Sequence, residues 1–314
     1  AETAARTRAS RSDCSVSAIR GHSRGHMDVA ITGSTGLIGT ALSSSLRSDG
    51  HRVRPIVRRS PSGPDELPMD NLDLSDVDAV VHLAGEGIAE KRWDDEQKRK
   101  IWDSRRDGTR AVADAVARSD RTTVLLSGSA VGYYGSRGDE ILTEDAPAGE
   151  GFLADLCIEW EASTGAATGA RVVHVRTGIV LTPRGGALSK LLPLFKLGLG
   201  GRMGSGKQWM SWITLEDEVR AITHLLTADV AGPVNLTAPN PVTNAELGKT
   251  LGRVLHRPSV LPTPAFGPRL LLGRELASSL LFDSQRVLPA RLVVSGFAHE
   301  HPQLEGALRD MLNR

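Results

Sequence analysis

The chain has few of the residues that mark secreted, membrane-spanning or nucleic-acid-binding proteins. Its 314 residues include only two cysteines, Cys14 and Cys157, which lie far apart, so we expect no disulfide framework and predict a reducing, cytoplasmic location. No apolar run approaches the roughly 20 residues that span a bilayer. A net charge of +1 gives no reason to expect nucleic acid or a membrane surface as partner. The nine histidines show no metal-ligand spacing, so no metal site is predicted.

The remaining composition is typical of a globular protein. Forty per cent of the residues are hydrophobic and 24% are charged, and 314 residues are enough for a substantial core, usually divided into two domains.

Residues 29–39 join an apolar β-branched run to a glycine-rich turn, and an apolar helical pattern continues through Leu46. Gly33 allows a tight turn, Gly36 lets the backbone approach phosphates, and Gly39 lets helix and strand pack closely. The first two glycines stand one residue further apart than in the common fingerprint. The pattern predicts a dinucleotide site, with the diphosphate on the exposed N–H groups at the start of the helix. Its predicted binding residues are Gly33, Thr35, Gly36, Leu37, Ile38 and Gly39.

Predicted strands alternate with predicted helices over the following 140 or so residues. Strands are expected at 52–57, 78–83, 123–126 and 172–175, helices at about 94–118 and 152–167, and a loop at 60–76. Pro55 argues against a central, fully bonded place for the second strand. This alternation predicts an α/β fold with a Rossmann-type doubly wound parallel sheet. The strand ends at Gly33, Arg58, Ala84, Ser127 and Arg176 should then meet at one cleft.

The chain divides into three predicted segments. Residues 1–26 are rich in arginine and serine, which is typical of a transit-type leader but also of a disordered leader or a mis-set start. We favour the latter pair because Met27 directly precedes the first strand. Residues 27–182 form the predicted Rossmann domain, completed by part of 214–240. Residues 183–314 form a smaller α+β substrate or lid domain.

The residues after the second strand indicate which dinucleotide is bound. A site that prefers NAD usually presents an acid there, whereas this chain has Arg58 and Arg59, and the nearest acid is Asp65. Guanidinium groups suit a 2′-phosphate through charge-assisted hydrogen bonds. We therefore predict NADP(H) as cofactor and call this segment the NADP-binding Rossmann domain.

Several segments together resemble the extended short-chain dehydrogenase/reductase superfamily, and within it the atypical epimerase-family proteins of the SDR39U1 type with their small C-terminal domain. The resemblance extends from Met27 to Leu312 and is carried by residues 31–39, 82–88, 104–109, 127–135, 152–161, 204–213, 235–242, 288–292 and 295–297. It implies cofactor contacts at Leu83, Ala84, Gly85 and Arg105, where Arg105 stands at a position usually held by asparagine. Arg176, at a strand end, is a further candidate for the phosphate or nicotinamide side.

The resemblance also implies a Tyr-x-x-x-Lys pair on a helix with a serine nearby, and this chain lacks it. Its two tyrosines, Tyr133 and Tyr134, have no lysine four residues later. Three interpretations stay open. Tyr133 or Tyr134 supplies the acid/base group while Ser129 polarises a carbonyl; Cys157, near the lysine position, takes part; or the site binds NADPH without turnover.

The predicted function is therefore an NADP-dependent oxidoreductase or epimerase-like enzyme acting on a small carbonyl or sugar-derived substrate, with Ser129, Tyr133 and Tyr134 as catalytic candidates. The contrasting hypothesis is a non-catalytic NADPH-binding regulator or sensor. Expected partners are an unidentified small-molecule substrate and, as an assembly kept open, a second copy in a homodimer. Neither a nucleic acid nor a membrane is expected.

Overall fold

The computed structural model describes residues 25–260, 270 and 273–313. The predicted leader (1–26) lies almost entirely outside the described residues, as does Cys14. Within the described ranges, no helix combines the length and the apolar character that crossing a bilayer requires.

The described strands and helices alternate through the first two thirds of the chain, as predicted. The strands are β1 (Asp28–Thr32), β2 (Arg52–Val57), β3 (Leu67–Pro68), β4 (Ala79–His82), β5 (Val124–Ala130), β6 (Ile141–Leu142), β7 (Arg171–Thr177), β8 (Ile179–Thr182), β9 (Trp209–Met210), β10 (Trp212–Thr214), β11 (Gly232–Leu236), β12 (Val242–Thr243) and β13 (Arg286–Val287). The helices are α1 (Leu37–Ser48), α2 (Asp95–Ala117), α3 (Phe152–Ala162), α4 (Gly186–Lys196), α5 (Leu215–Thr227), α6 (Asn244–Leu255), α7 (Arg274–Ala277), α8 (Ala290–Val294) and α9 (Leu304–Leu312).

The central sheet has seven parallel strands in the order β11-β7-β5-β4-β1-β2-β3. The strand order reverses between β1 and β4, which is where a doubly wound sheet binds its ligand. The predicted Rossmann-type fold is thus confirmed. β2 pairs with β3 only at Ile56 and Val57, so Pro55 has one strand neighbour, in agreement with its missing N–H.

Both faces of the sheet are covered by helices, because the strand side chains alternate between two apolar clusters. Val29 and Ile31 point towards α1 and α5, where Leu42 and Ile222 pack against them. Ala30 faces the other side, towards Val112 and its neighbours on α2. Burial on both faces explains why the strands read as continuous apolar runs.

The C-terminal part has its own apolar core. Trp212 lies there, fully buried, with side chains from three helices: Leu188 and Leu192 of α4, Leu251 and Val254 of α6, and Leu304 and Leu308 of α9. Short strand pairs β8–β10 and β9–β12 accompany these helices. The N–H of Ala238, two residues after the edge strand β11, donates a hydrogen bond to the carbonyl oxygen of Trp212 at 2.6 Å and so links this smaller unit to the Rossmann sheet.

Four predicted boundaries were wrong. β7, predicted at 172–175, runs from Arg171 to Thr177, so Arg176 lies inside the strand rather than at its end. The loop predicted at 60–76 contains the short edge strand β3. The helix predicted to Ala167 ends at Ala162, where hydroxyl groups of Ser163 and Thr164 bond back to carbonyls of the last turn. β5 continues to Ala130, so Ser127 lies fully buried inside the strand rather than at its end. The strand can continue here because Gly128 has no side chain: a Cβ on it would stand only 2.8 Å from Cζ2 of Trp160.

Candidate functional site

The glycine turn between β1 and α1 has no room for side chains at two of its positions. Gly33 adopts a φ of +67°, and a Cβ on it would stand 2.9 Å from the carbonyl carbon of Leu83. A Cβ on Gly39 would stand 2.1 Å from the carbonyl oxygen of Gly33. The turn is closed by a 3.0 Å hydrogen bond that the Gly36 N–H donates to this oxygen. The two glycines therefore bring α1 directly against the end of β1.

The start of α1 is left without a cap. Gly36 is the N-cap residue, no side chain accepts a hydrogen bond from the first turn, and no acidic residue lies in it. Asp94, Thr214 and Thr243 cap α2, α5 and α6, whereas α3, α4 and α9 share the lack of a side-chain cap with α1. The N–H groups of Leu37, Ile38 and Gly39 have no intrahelical partner, and Thr35 lies exposed in the same turn. This helix end is suited to binding an anion.

A second backbone segment, residues 83–85, forms a shelf next to the glycine turn. The Thr32 hydroxyl oxygen accepts hydrogen bonds from the N–H groups of Leu83 and Ala84, at 3.0 and 3.1 Å. It also lies 2.8 Å from Nδ1 of the fully buried His82. Burial and the nearby Arg105 lower the pKa of His82 to about 4, so its ring is neutral. Because both lone pairs of the hydroxyl are used, Thr32 donates its proton to Nδ1, and Nε2 carries the ring proton.

The two arginines after β2 have different surroundings. Arg59 forms a bidentate ion pair with Glu66, at 2.6 and 2.8 Å, and lowers the pKa of Glu66 to about 2. Arg58 is exposed and makes no hydrogen bond or ion pair with any described residue. Of the two predicted 2′-phosphate ligands, Arg58 is thus the one whose guanidinium is available.

Ser129 and Arg176, on neighbouring strands, share one carboxylate. The Arg176 guanidinium forms a bidentate ion pair with Glu161, at 2.7 and 2.8 Å, and is 2% exposed. Ser129 donates its hydroxyl proton to the same carboxylate at 2.6 Å. Sequence reasoning missed Glu161; its position four residues after Cys157 on α3 was the available signal. With its cationic group occupied, Arg176 is poorly placed for the expected phosphate contact.

The two tyrosines of the turn Val131–Tyr134 differ in access. Tyr134 is fully buried; its hydroxyl donates to Oδ1 of Asn235 at 2.7 Å and accepts from Nη1 of Arg176 at 3.0 Å. Burial raises the pKa of Tyr134, against the opposing effect of Arg176. This environment does not favour the catalytic role expected for Tyr134.

Tyr133 is only partly buried. Its ring stacks on Arg176, with the guanidinium carbon 3.5 Å from the ring centroid, and its hydroxyl has no hydrogen-bond partner among the described residues. Tyr133 is therefore the tyrosine whose hydroxyl is free to meet a ligand.

Helix α3 lies in the region where the family resemblance places the Tyr-x-x-x-Lys helix, and its face towards Gly132 carries no such pair. Leu153 and Cys157 lie four residues apart and both face Gly132 at the end of β5. Cys157 is buried, and this burial raises the pKa of its thiol to about 11. A thiol with so high a pKa carries almost no thiolate at neutral pH, which argues against the interpretation that Cys157 takes part in chemistry.

Arg105 reaches from α2 to the back of the shelf. Its Nη1 donates to the carbonyl oxygens of Glu86 and Ile101, at 3.0 and 3.1 Å. The guanidinium carbon lies 4.8 Å from the ring centroid of Trp160. A Cβ at Gly85 would stand 3.1 Å from the same carbon. Burial lowers the pKa of Arg105 to about 10, so the side chain still carries its charge at neutral pH.

The two tryptophans of residues 207–212, Trp209 and Trp212, both direct their indole N–H groups to partners within the protein. The indole N–H of Trp209 donates to Asp139 at 2.8 Å, and that of the buried Trp212 donates to the Asn240 carbonyl at 3.0 Å. No group of three or more potential metal ligands occurs among the residues described.

Comparison with known proteins agrees with this geometry. Residues 29–237 match the model of the NAD dependent epimerase/dehydratase family, and residues 263–311 match a domain of unknown function, DUF1731. The chain is 47% identical over 290 residues to the epimerase family protein Mb2239 of Mycobacterium bovis, covering 89% of this chain and 96% of that one. It is 38% identical over 304 residues to the chloroplastic SDR39U1 homolog of Arabidopsis thaliana, covering 91% and 87% of the two chains.

Among solved structures, human epimerase family protein SDR39U1 (isoform 2) with NADPH superimposes with a TM-score of 0.86 at 35% identity. The match covers 92% of this chain and 100% of the human one.

Proposed function

This chain belongs to the NAD dependent epimerase/dehydratase family, and from that membership we propose that it binds NADP(H) and uses it to reduce or epimerise a small carbonyl or sugar-derived substrate. The observation that carries the proposal is the uncapped start of α1 behind a glycine turn that has no space for side chains. Leu37, Ile38 and Gly39 present their N–H groups to the cofactor diphosphate, aided by the positive end of the helix dipole.

Arg58 selects NADP(H) over NAD(H) in this proposal. Its guanidinium is exposed and has no partner among the described residues, and it follows β2, where the ribose of the adenosine half lies in a Rossmann site. The similar human protein has a structure with NADPH, which supports the same choice. Arg59 contributes less, because Glu66 already holds both ends of its guanidinium.

Tyr133 is the proposed proton donor. When bound, NADPH supplies a hydride to a carbonyl carbon, and the carbonyl oxygen then needs a proton. The free hydroxyl of Tyr133 lies near the ends of β5 and β7, and the ion pair of Arg176 with Glu161 holds the ring beside it in place. In this proposal Ser129 holds the Glu161 carboxylate in place and does not donate to the substrate, since its only hydroxyl proton is directed to Glu161.

Incubation of the purified protein with NADPH and a panel of aldehydes and ketones, and with NADP+ and a panel of nucleotide sugars, tests the proposal. Oxidation is followed by the absorbance of the reduced nicotinamide, and epimerisation by product analysis. Turnover that is lost in Tyr133→Phe while NADPH still binds is the expected result. Tight NADPH binding without any turnover across the panel would contradict the enzymatic part.

A non-catalytic NADPH sensor is the second candidate function. It is favoured by one observation: Leu153 and Cys157 occupy the face of α3 where the resemblance places a Tyr-x-x-x-Lys pair. A sensor would change shape with cofactor state. Hydrogen exchange that differs over residues 183–260 between NADPH-bound and free protein, in the absence of turnover, would support it.

The proposed assembly is a homodimer, and the proposed location is the cytoplasm, although a plant relative is named chloroplastic. Sedimentation of the purified chain at micromolar concentration tests the first. Imaging of a tagged full-length chain in its own cells tests the second.

A further inference from the structure

One layer of the interior holds most of the buried polar atoms that lack a hydrogen-bond partner. Among the described residues there are nine such side-chain nitrogen and oxygen atoms. Four are scattered over α1, β2, α5 and the segment after β6. The other five lie on β4, β5, α2 and α3, and they are Nε2 of His82, Nε of Arg105, Oγ1 of Thr109, Oγ of Ser127 and Nε1 of Trp160. Because buried polar groups are nearly always hydrogen-bonded, this concentration requires an explanation.

His82 and Ser127 lie side by side on one face of the sheet. They are paired in register on the neighbouring parallel strands β4 and β5. Val80 and Leu125, two residues earlier on each strand, pack in the apolar cluster beneath α2. Since side chains alternate between the two faces along a strand, His82 and Ser127 point to the same side of the sheet as this cluster.

Thr109 and Trp160 cover the pair from the two helices. Gly108, which precedes Thr109 on α2, leaves space beside the His82 ring, because a Cβ on it would stand at ordinary contact distances of 3.8 Å from Cε1 and 4.0 Å from Nε2. On the α3 side, a Cβ on Gly128 would stand 2.8 Å from Cζ2 of Trp160 and 3.2 Å from the carbonyl oxygen of His82. The four side chains, none more than 8% exposed, therefore border the same buried part of the interior.

The hydrogen-bonding capacity of these four groups matches that of water. Nε2 of His82 carries the ring proton because Nδ1 accepts from Thr32, and the indole nitrogen of Trp160 is a donor only. The hydroxyl groups of Thr109 and Ser127 each have one proton and two lone pairs. A buried water molecule accepts up to two hydrogen bonds and donates up to two, so it can serve N–H groups and hydroxyl groups together.

An ion matches these groups less well. A cation would meet two N–H groups, and the Arg105 guanidinium is near enough to lower the pKa of His82 further than burial alone does. An anion has no proton to give to the hydroxyl oxygens, and burying it costs far more free energy than ordering a water molecule.

We propose that one structural water molecule binds between the sheet and α2, where it accepts the Nε2 proton of His82 and is hydrogen-bonded to the hydroxyl groups of Thr109 and Ser127. This water keeps the ring proton of His82 on Nε2 and leaves Nδ1 free for Thr32, whose oxygen holds the N–H groups of the shelf. Gly108 supplies the space and Thr109 one of the bonds. The water belongs to the fold itself, so the inference does not depend on the proposed function.

Denaturant titration of Thr109→Val and Ser127→Ala tests the proposal, because a bound water reverses the sign of the effect. Each variant should raise the unfolding equilibrium constant about twofold to tenfold, the range for one lost hydrogen bond. In a dry layer each hydroxyl is a buried group without a partner, and its removal would lower that constant. An unchanged or lower constant in either variant would overturn the proposal.

Ser43→Ala is the matched control. Its hydroxyl is also buried without a partner, but it lies on α1, which covers the opposite face of the sheet. This variant should leave the unfolding constant unchanged or lower it. An equal rise in Ser43→Ala and Ser127→Ala would mean that serine-to-alanine changes destabilise this protein wherever they are made, which overturns the interpretation of Ser127→Ala as the loss of a water contact.

The double variant of Thr109→Val and Ser127→Ala separates a shared water from independent contacts of the two hydroxyl groups. A shared water is lost or loosened by the first substitution, so the second costs less. The unfolding constant of the double variant should therefore fall short of the product of the single effects by about twofold or more. Effects that simply multiply would overturn the shared site.

A crystal structure of the wild-type protein, at a resolution that shows ordered water, tests the site without any variant. We expect one isolated density peak within hydrogen-bond distance of Nε2 of His82 and of both hydroxyl oxygens. Crystals grown in bromide distinguish water from an anion by anomalous scattering. An anomalous peak at this position, or the absence of density there, would overturn the proposal.

Discussion

The Ser129 hydroxyl donates its proton to Glu161 at 2.6 Å, on the same carboxylate that holds Arg176. A hydroxyl has one proton to give. Ser129 is thus a member of a buried ionic network rather than a donor to a substrate carbonyl, and for this reason the proposed function assigns proton transfer to Tyr133.

Substitution of the three catalytic candidates should separate their roles. Tyr133→Phe is expected to lower kcat for any carbonyl substrate by about a hundredfold to ten-thousandfold, the usual contribution of a general acid, because its hydroxyl is the free one. Ser129→Ala should lower kcat by less than about tenfold. Steady-state kinetics on both variants, with NADPH affinity measured beside them, gives the answer.

Tyr134→Phe is the control within the same turn. Because it removes the hydroxyl that Oδ1 of Asn235 and Nη1 of Arg176 contact, we expect a loss of about 1–3 kcal/mol in the free energy of unfolding. Denaturant titration measures this. A loss of turnover in Ser129→Ala as large as in Tyr133→Phe would show that the assignment of roles is wrong.

Glu218 on α5 should make the stability depend on pH. It is fully buried, its one hydrogen bond comes from Thr177 at 2.7 Å, and burial raises its pKa from 4.5 to about 8. When the pKa of a carboxyl is higher in the folded than in the unfolded protein, the protonated group stabilises the fold fully at pH values below the unfolded pKa. This stabilisation is lost as the pH rises through the folded pKa. The amide of Glu218→Gln does not ionise, so this variant should not lose stability in this way as the pH rises.

Between about pH 5 and pH 8, the unfolding free energy of Glu218→Gln should therefore gain on that of wild type by up to about 1.4 kcal/mol per pH unit. Denaturant titrations across this range measure it. Asp114→Asn, at an exposed carboxylate on α2 that makes no hydrogen bond or ion pair with any described residue, should run parallel to wild type. Parallel curves for Glu218→Gln as well would mean that Glu218 is ionised in the folded protein.

Gly39→Ala should damage the cofactor turn. Its Cβ would meet the Gly33 carbonyl oxygen at 2.1 Å, which forces α1 away from β1. We expect a loss of about 1–3 kcal/mol in stability and a loss of NADPH binding. Gly306→Ala, at an exposed position in α9 with no atom within 4 Å, should raise stability by up to about 1 kcal/mol and leave binding unchanged. Undiminished NADPH affinity in Gly39→Ala would contradict the placement of the diphosphate.

The elements that depend on local pattern were predictable from the sequence. The bounds of β2 match the prediction at both ends, and α2 begins after its predicted first residue, Asp94, which caps it. The family, indicated by motifs spread over most of the chain, is confirmed by close relatives. These features follow from periodicity, caps and glycine spacing, which lie within a few residues of each other.

The site depends on contacts that no local pattern reveals. Ser129 donates a hydrogen bond to Glu161, which lies 32 residues later in the sequence. Tyr134 donates one to Asn235, which lies 101 residues later. The difference between Arg58 and Arg59 comes from Glu66, on the segment next to the unpredicted strand β3. Adjacent residues of one type, such as the two arginines or the two tyrosines, look equivalent in sequence until the fold assigns partners to one of them.

The most direct test of the account is calorimetric titration of wild type, Arg58→Ala and Arg59→Ala with NADPH and with NADH. We expect wild type to bind NADPH more tightly than NADH, Arg58→Ala to lose about tenfold to a hundredfold in NADPH affinity with NADH within about twofold, and Arg59→Ala to change less. Equal losses of NADPH and NADH in Arg58→Ala, or no binding of either dinucleotide to wild type, would contradict it.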